Sequence, residues 1–172
     1  MGRLSMRTAV AEYFATANLE YVGKVLKARP EVLTEQEYET SMFNEAAPSE
    51  NGSSAVLVVN IPEDKRQRRA DTGRGAVNDS WIFKIALEVF FASTGGEAVK
   101  AQEDYDTVID GVIESIRANA NLGSPNTVWS AGEYDNGIQH DQAQPFTDDD
   151  GVTIFIFGAV TFDSWQWLAG PV

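Results

Sequence analysis

The stretch from Asp79 to Asn119 leaves the chain the fewest ways to fold. Trp81, Phe83, Ile85, Leu87, Val89 and Phe91 alternate with the mixed set Ile82, Lys84, Ala86, Glu88 and Phe90. That period of two belongs to a strand with one buried side. Further on, Tyr105, Val108, Ile109, Val112, Ile113 and Ile116 fall at i, i+3, i+4, i+7, i+8 and i+11, one apolar stripe down a helix. Thr94 and Glu97 have capping-box spacing at its start, and Gly95 and Gly96 allow the turn. A long strand feeding a helix with a matching apolar face predicts a sheet with that helix laid across it.

The remaining segments extend this pattern. Val10, Tyr13, Phe14 and Ala17 predict a short amphipathic helix within residues 8–18. Leu19 to Ala28 reads as a strand, because Gly23 and Pro30 disfavour a helix there. Residues 31–53 read as an acidic, turn-rich surface connection with one helical turn between Glu35 and Phe43. Ala55 to Ile61 is a Val-rich run that fits a strand covered on both faces and ended by Pro62. A basic connection, 63–78, follows. Thr127 to Ala131 and Ile138 to Gln142 read as short strands, and residues 143–151 as an acidic polar loop. Val152 to Trp167 is apolar on both faces, so one face needs either a second layer or a neighbouring subunit. The expected class is α/β of the α+β kind: one mixed, mainly antiparallel sheet in a single domain, 1–172, with a long helix and a short N-terminal helix packed on it.

Composition narrows the chemistry. The chain has 172 residues, no cysteine and one histidine, which excludes disulfides and thiolate chemistry and leaves length for one core. No run approaches the roughly 18 apolar residues of a membrane span, so a soluble cytosolic product is expected. The net charge is −13, yet five of the thirteen bases fall between Lys65 and Arg74. Such acidity serves solubility and also makes a surface that repels nucleic acid.

Few constellations point to catalysis. His140 beside Asp141, with Asp148, Asp149 and Asp150 nearby in sequence, is the only metal-like or acid–base set, and it lacks the spaced ligands and central glycine of an EF-hand loop. Ser93, Ser130 and Ser164 have no nucleophile-elbow context. Gly73-Arg-Gly75 lacks the lysine and helix of a phosphate loop. No cofactor, metal or catalytic residue is expected. Interface candidates are the basic set Lys65, Arg66, Arg68 and Arg69, which can reach an acidic neighbour, and Phe155, Phe157, Trp165 and Trp167 on the two-faced last strand.

An ordered set of segments carries a family resemblance. They are Tyr21-Val-Gly-Lys-Val-Leu-Lys-Ala-Arg-Pro30, Ala55-Val-Leu-Val-Val-Asn-Ile61 with the arginines after it, and Trp81 to Phe91. Ala101-Gln-Glu-Asp-Tyr-Asp106, Ile109-Asp-Gly-Val-Ile113, Trp129-Ser-Ala-Gly-Glu133 and Val160-Thr-Phe-Asp-Ser-Trp165 complete the set. In order and spacing the chain resembles the tail terminator, or tail completion, proteins of long-tailed bacteriophages. The resemblance implies a mixed α/β subunit, not an enzyme, that closes into a homo-hexameric ring at the head-proximal end of the tail tube. Such a ring stops tube growth and joins the tail to the head connector. Its partners would be further copies of itself, the tail tube protein and the connector or stopper protein. DNA would pass through without specific binding, no membrane would be involved, and the protein would reside in the virion neck after assembly in the host cytoplasm. The alternatives are another head–tail joining protein, an adaptor or stopper, and a small metal-dependent or acid–base enzyme built on His140 and Asp148 to Asp150.

Overall fold

The computed structural model describes residues 3–30, 34–70, 77–95, 97–119, 121–122 and 137–168, and only the backbone at 67–70, 77–80 and 165–168. In chain order the elements are α1 (Arg3–Thr16), β1 (Val22–Leu26), α2 (Glu35–Ala46), β2 (Gly52–Ala70), β3 (Val77–Thr94), α3 (Ala98–Ala118), β4 (Gln139–Gln142), β5 (Phe146–Thr147) and β6 (Thr153–Leu168). The six strands form one mixed sheet in the order β1-β2-β3-β6-β4, with β5 paired to β6. Among the described residues only the β1–β2 contact is parallel. The class is α+β, as the patterning predicts.

β3 is the centre of the sheet, and its alternation has the expected effect. Phe83, Ile85, Leu87, Val89 and Phe91 are fully buried against α1 and α3, together with Leu57, Val59, Val112 and Ile116. Ile113 of the expected stripe is only partly buried at the edge of that core. The Tyr13 hydroxyl donates to the Ser115 carbonyl at 2.7 Å and ties the two helices together on this face.

The opposite face holds a second core. Residues 31–53 contain a helix of 12 residues, α2, where one turn was expected. Thr34 caps it by accepting from the Glu37 N–H at 3.1 Å, and the Thr34 hydroxyl bonds the Glu37 carboxylate. Thr34 and Glu37 thus have capping-box spacing and supply the N-cap half of that motif, with the Glu37 carboxylate turned to the Thr34 hydroxyl. At α3 the expected box is absent: Glu97 is the N-cap and makes no side-chain cap bond, while Thr94 ends β3 with its hydroxyl 3.4 Å from that of Thr153. Tyr38, Met42, Phe43 and Ala46 of α2 cover Val56, Val58, Phe90 and Ala92. Phe43 meets Phe90 and Phe155 edge-on, with centroids 5.2 Å apart in each case. The second layer that β6 requires is thus supplied largely within the chain, by α2.

Pro62 corrects another expectation. It does not end the strand; β2 runs on to Ala70, so most of the expected basic connection is paired backbone. Between Asn60 and Glu63, β2 advances three residues while β3 advances two, from Ala86 to Lys84. This is a β-bulge, where a residue without an N–H is tolerated. The extra residue also reverses the side-chain parity. Before it the odd-numbered residues face α1 and α3; after it Asp64, opposite Phe83, lies on that face.

Glu88 is the polar exception under α2. It is 4% exposed, and its carboxylate accepts from Arg29 Nε at 3.2 Å to both oxygens, from Arg29 Nη2 at 2.5 Å, from Asn60 Nδ2 at 3.1 Å and from the Tyr38 hydroxyl. The Arg29 guanidinium lies 4.7 Å from the Tyr38 ring centroid and bonds Glu35 at 3.0 Å. Removing the anion leaves the buried Tyr38 hydroxyl without its acceptor and takes the inner partner from Arg29 and Asn60. Glu88→Ala should therefore lower unfolding stability by about 3 kcal/mol, read from denaturant midpoints. Val112→Asp should abolish the cooperative transition, because an unpaired charge would enter a fully closed core. A normal transition in Val112→Asp would refute the assigned helix face.

Candidate functional site

The outer ends of β2, β3 and β6 form a three-stranded arm. β3 spans 18 residues, about 60 Å at strand rise, whereas α3 spans 21 residues, about 31 Å at helix rise. α3 starts beside the Thr94 end of β3 and runs back over the sheet. Roughly half of the β2–β3 ladder therefore continues past the helix. At the root of this arm Asp64 accepts from Arg3 at 2.9 Å and from Trp81 Nε1 at 3.1 Å. The guanidinium of Arg3 also bonds the Ile61 carbonyl.

The arm carries most of the interface candidates. Lys65 and Arg66 are exposed on β2, opposite Ile82 and Trp81, and Arg68 and Arg69 follow opposite Asp79 and Asn78. Trp165 and Trp167 stand on β6 opposite Ile82 and Ser80; their side chains, like those of Arg68 and Arg69, lie outside the described residues. The backbone thus brings the basic set and the two tryptophans to one end of one sheet. Phe155 and Phe157 lie elsewhere, half-buried under α2 at the other end of β6, where Phe157 is 4.9 Å from the Phe90 ring and Phe155 5.2 Å from that of Phe146.

The His140 constellation does not assemble. His140 pairs opposite Val160, whereas Thr147 pairs opposite Ile154, so the imidazole and the aspartates are about 20 Å apart along β6. His140 Nε2 is bonded at 2.9 Å to the Tyr105 hydroxyl, which burial keeps protonated by raising its pKa. Gly158 makes room for that contact, since a Cβ there would lie 1.8 Å from the Tyr105 oxygen. Asp148 shapes the β5–β6 turn. Its carboxylate accepts the Thr153 N–H at 3.1 Å and the Val152 N–H at 2.9 Å, and these bonds, that from Thr153 foremost, hold its pKa below the ordinary value. Among the described residues no group of three or more histidine or acidic side chains could hold a metal. Nor is any described helix long and apolar enough to cross a membrane.

Acidic charge is unevenly compensated. On α2, Glu35 pairs with Arg29 at 3.0 Å and Glu45 with Lys24 at 2.9 Å. On α3, Glu103, Asp106, Asp110 and Glu114 form an exposed stripe with no ion pair among the described residues. Asp106 there accepts from the Gln102 amide at 2.8 Å. Like charges at this spacing cost a helix a few tenths of a kcal/mol per pair.

Asp104 is a node that sequence reading missed, because an acid in an amphipathic helix reads as solvated. It is 7% exposed and accepts from Ser53 at 2.6 Å, Tyr21 at 3.1 Å and Lys100 at 3.5 Å. Tyr21 holds a φ of 63°, costly for a bulky residue, and the Asp104 bond helps to fix it there. Hydrogen bonding to Asp104 is the main reason that the Tyr21 pKa is pushed up to about 12. Burial alone would raise the Asp104 pKa, but the hydroxyl bonds and Lys100 outweigh it and leave it lowered.

The chain matches no known family model and no characterised protein.

The Asp104 network gives a pH signature. Its folded pKa lies below the unfolded value of about 3.9, so its contribution is present above that pH and fades as pH falls through the folded value. Asp104→Asn should cost about 2 kcal/mol at pH 7, and the gap to the parent should close in more acidic solution. A gap constant from pH 7 to pH 3 would contradict this role.

Proposed function

We propose that this chain is a structural subunit that closes into a ring at the head-proximal end of a bacteriophage tail tube, stops tube growth and joins the tail to the head connector. The sequence resemblance supplies that expectation. The single observation that carries the structural side is the arm: paired strands with cationic residues, extending past the helices of a subunit that is otherwise strongly acidic. An arm and a body of opposite charge favour a contact between different surfaces of two copies, and contacts of that kind close into rings. The exposed acids of α3, without an ion pair among the described residues, are one such surface. Acidic surplus facing a channel would let DNA slide without sticking.

Exposed ion pairs are worth only about 0–1 kcal/mol each, yet one set per interface is repeated around a ring, and all are weakened by salt. The purified chain should form closed oligomers at low ionic strength, seen by light scattering and electron microscopy. Added to growing tail tubes, it should cap them and shorten them. The variant with Lys65, Arg66, Arg68 and Arg69 all changed to Ser should keep its thermal transition and lose assembly. A parent that stays monomeric at every salt concentration and leaves tube growth unchanged would overturn the reading. His140→Ala and Asp149→Ala should assemble like the parent; loss of assembly in either, with the fold intact, would return those residues to consideration.

A further inference from the structure

Both outer edges of the arm lack a strand partner among the described residues. β1 pairs with β2 only as far as Val58, and the pairing of β4 with β6 goes no further than Thr161. That leaves residues 63–70 of β2 on one side and residues 162–168 of β6 on the other, each with a row of backbone N–H and C=O groups that can extend a sheet. At the root, Arg3 occupies the Ile61 carbonyl and Pro62 has no N–H to give, so the usable β2 edge begins at Glu63.

Direction and charge restrict what can pair there. β2 and β6 both run antiparallel to β3, so they are parallel to each other. A second copy rotated about an axis near the strand direction brings its β2 beside this copy's β6 as a parallel pair. Residues 65–69 read Lys-Arg-Gln-Arg-Arg, so two β2 edges would set like charges against each other. In residues 162–168 the only charge is Asp163, which has no ion pair among the described residues. The cationic edge therefore suits the β6 edge and rejects its own kind.

We propose that the β2 edge of one copy adds to the β6 edge of the next, residues 63–70 against 162–168, so that the sheet continues from subunit to subunit. The inference rests on the ring reading and names the contact that closes the ring. The contact is heterologous, each copy using one edge to give and the other to receive. Three arm strands from each of six copies would make about 18 strands, a number at which closed barrels leave an aqueous channel.

The chain has no cysteine, which makes the test direct. Lys65→Cys and Asp163→Cys are prepared as separate chains and treated with a short bis-maleimide. Mixed, they should yield a covalent dimer; alone, neither should. A chain carrying both substitutions should give a ladder ending at the ring number. In the unmodified protein, amides of residues 63–70 and 162–168 should exchange at least about tenfold more slowly in the low-salt assembly than in the salt-dissociated subunit. Rings that form without the mixed cross-link and without that protection would overturn the edge contact and leave the ring reading standing. Self-linking of Lys65→Cys as efficient as the mixed reaction would overturn it in favour of like edges. An unmodified chain that is monomeric in every buffer would remove both readings together.

Discussion

Two-sided use of β3 is the constraint on which the rest of the molecule depends. Its backbone is paired along its length by β2 on one side and by β6 on the other, so it has no edge through which to adjust. Its two side-chain faces must then be covered separately. The odd-numbered face is apolar from Trp81 to Phe91 and draws α1 and α3. The even-numbered face carries Phe90 and Ala92 beside Glu88, and α2 can cover it only by bringing Tyr38 and the nearby Arg29 to the carboxylate. A carboxylate in that position makes the placement of α2 specific, because a shifted helix would leave a buried anion without donors.

The same strand organises the functional reading. Half of its length is body, clamped between helices, and half is arm. The body neutralises a small part of its acidic charge, as the Arg29–Glu35 and Lys24–Glu45 pairs show. Among the described residues the arm carries cations and strand edges without a partner, and α3 carries acids without an ion pair. Exposed cations beside strand edges that lack a partner among the described residues are what a component of a larger assembly would present. Nothing comparable gathers around His140, whose imidazole serves to anchor β4 over Tyr105.

Much of the fold was legible in sequence because its strongest signals are periodic. The alternation from Phe83 to Phe91 and the stripe from Tyr105 to Ile116 each record a single flat contact, and both were read correctly apart from Ile113. α2 was harder to see: Tyr38, Met42, Phe43 and Ala46 are its only buried residues, and the acids between them resemble a solvated loop. The extension of β2 was hidden by Pro62, which reads as a strand terminator unless the bulge is known. Glu88 and Asp104 were invisible for a different reason. Their partners Arg29, Tyr38, Ser53 and Tyr21 lie 50 or more residues away, and no local pattern announces a hydrogen bond over that distance. Of the interface candidates, the clustering of the basic set with Trp165 and Trp167 at one sheet end needed the register of three strands.

The bulge at Pro62 also separates two inheritances within one strand. Upstream of it, which residues face the α1 and α3 core is dictated by packing; downstream, facing is set by a count offset by one. The body and the arm can therefore change independently, since substitutions in one place no demand on the parity of the other. Losing a single residue at the bulge would restore a regular ladder with Glu63 still opposite Lys84, sparing the core and the facing of the distal half while removing the local bend and extra twist from which the arm departs. A one-residue irregularity thus works as a joint between a conservative scaffold and an outer surface free to follow whatever it must fit.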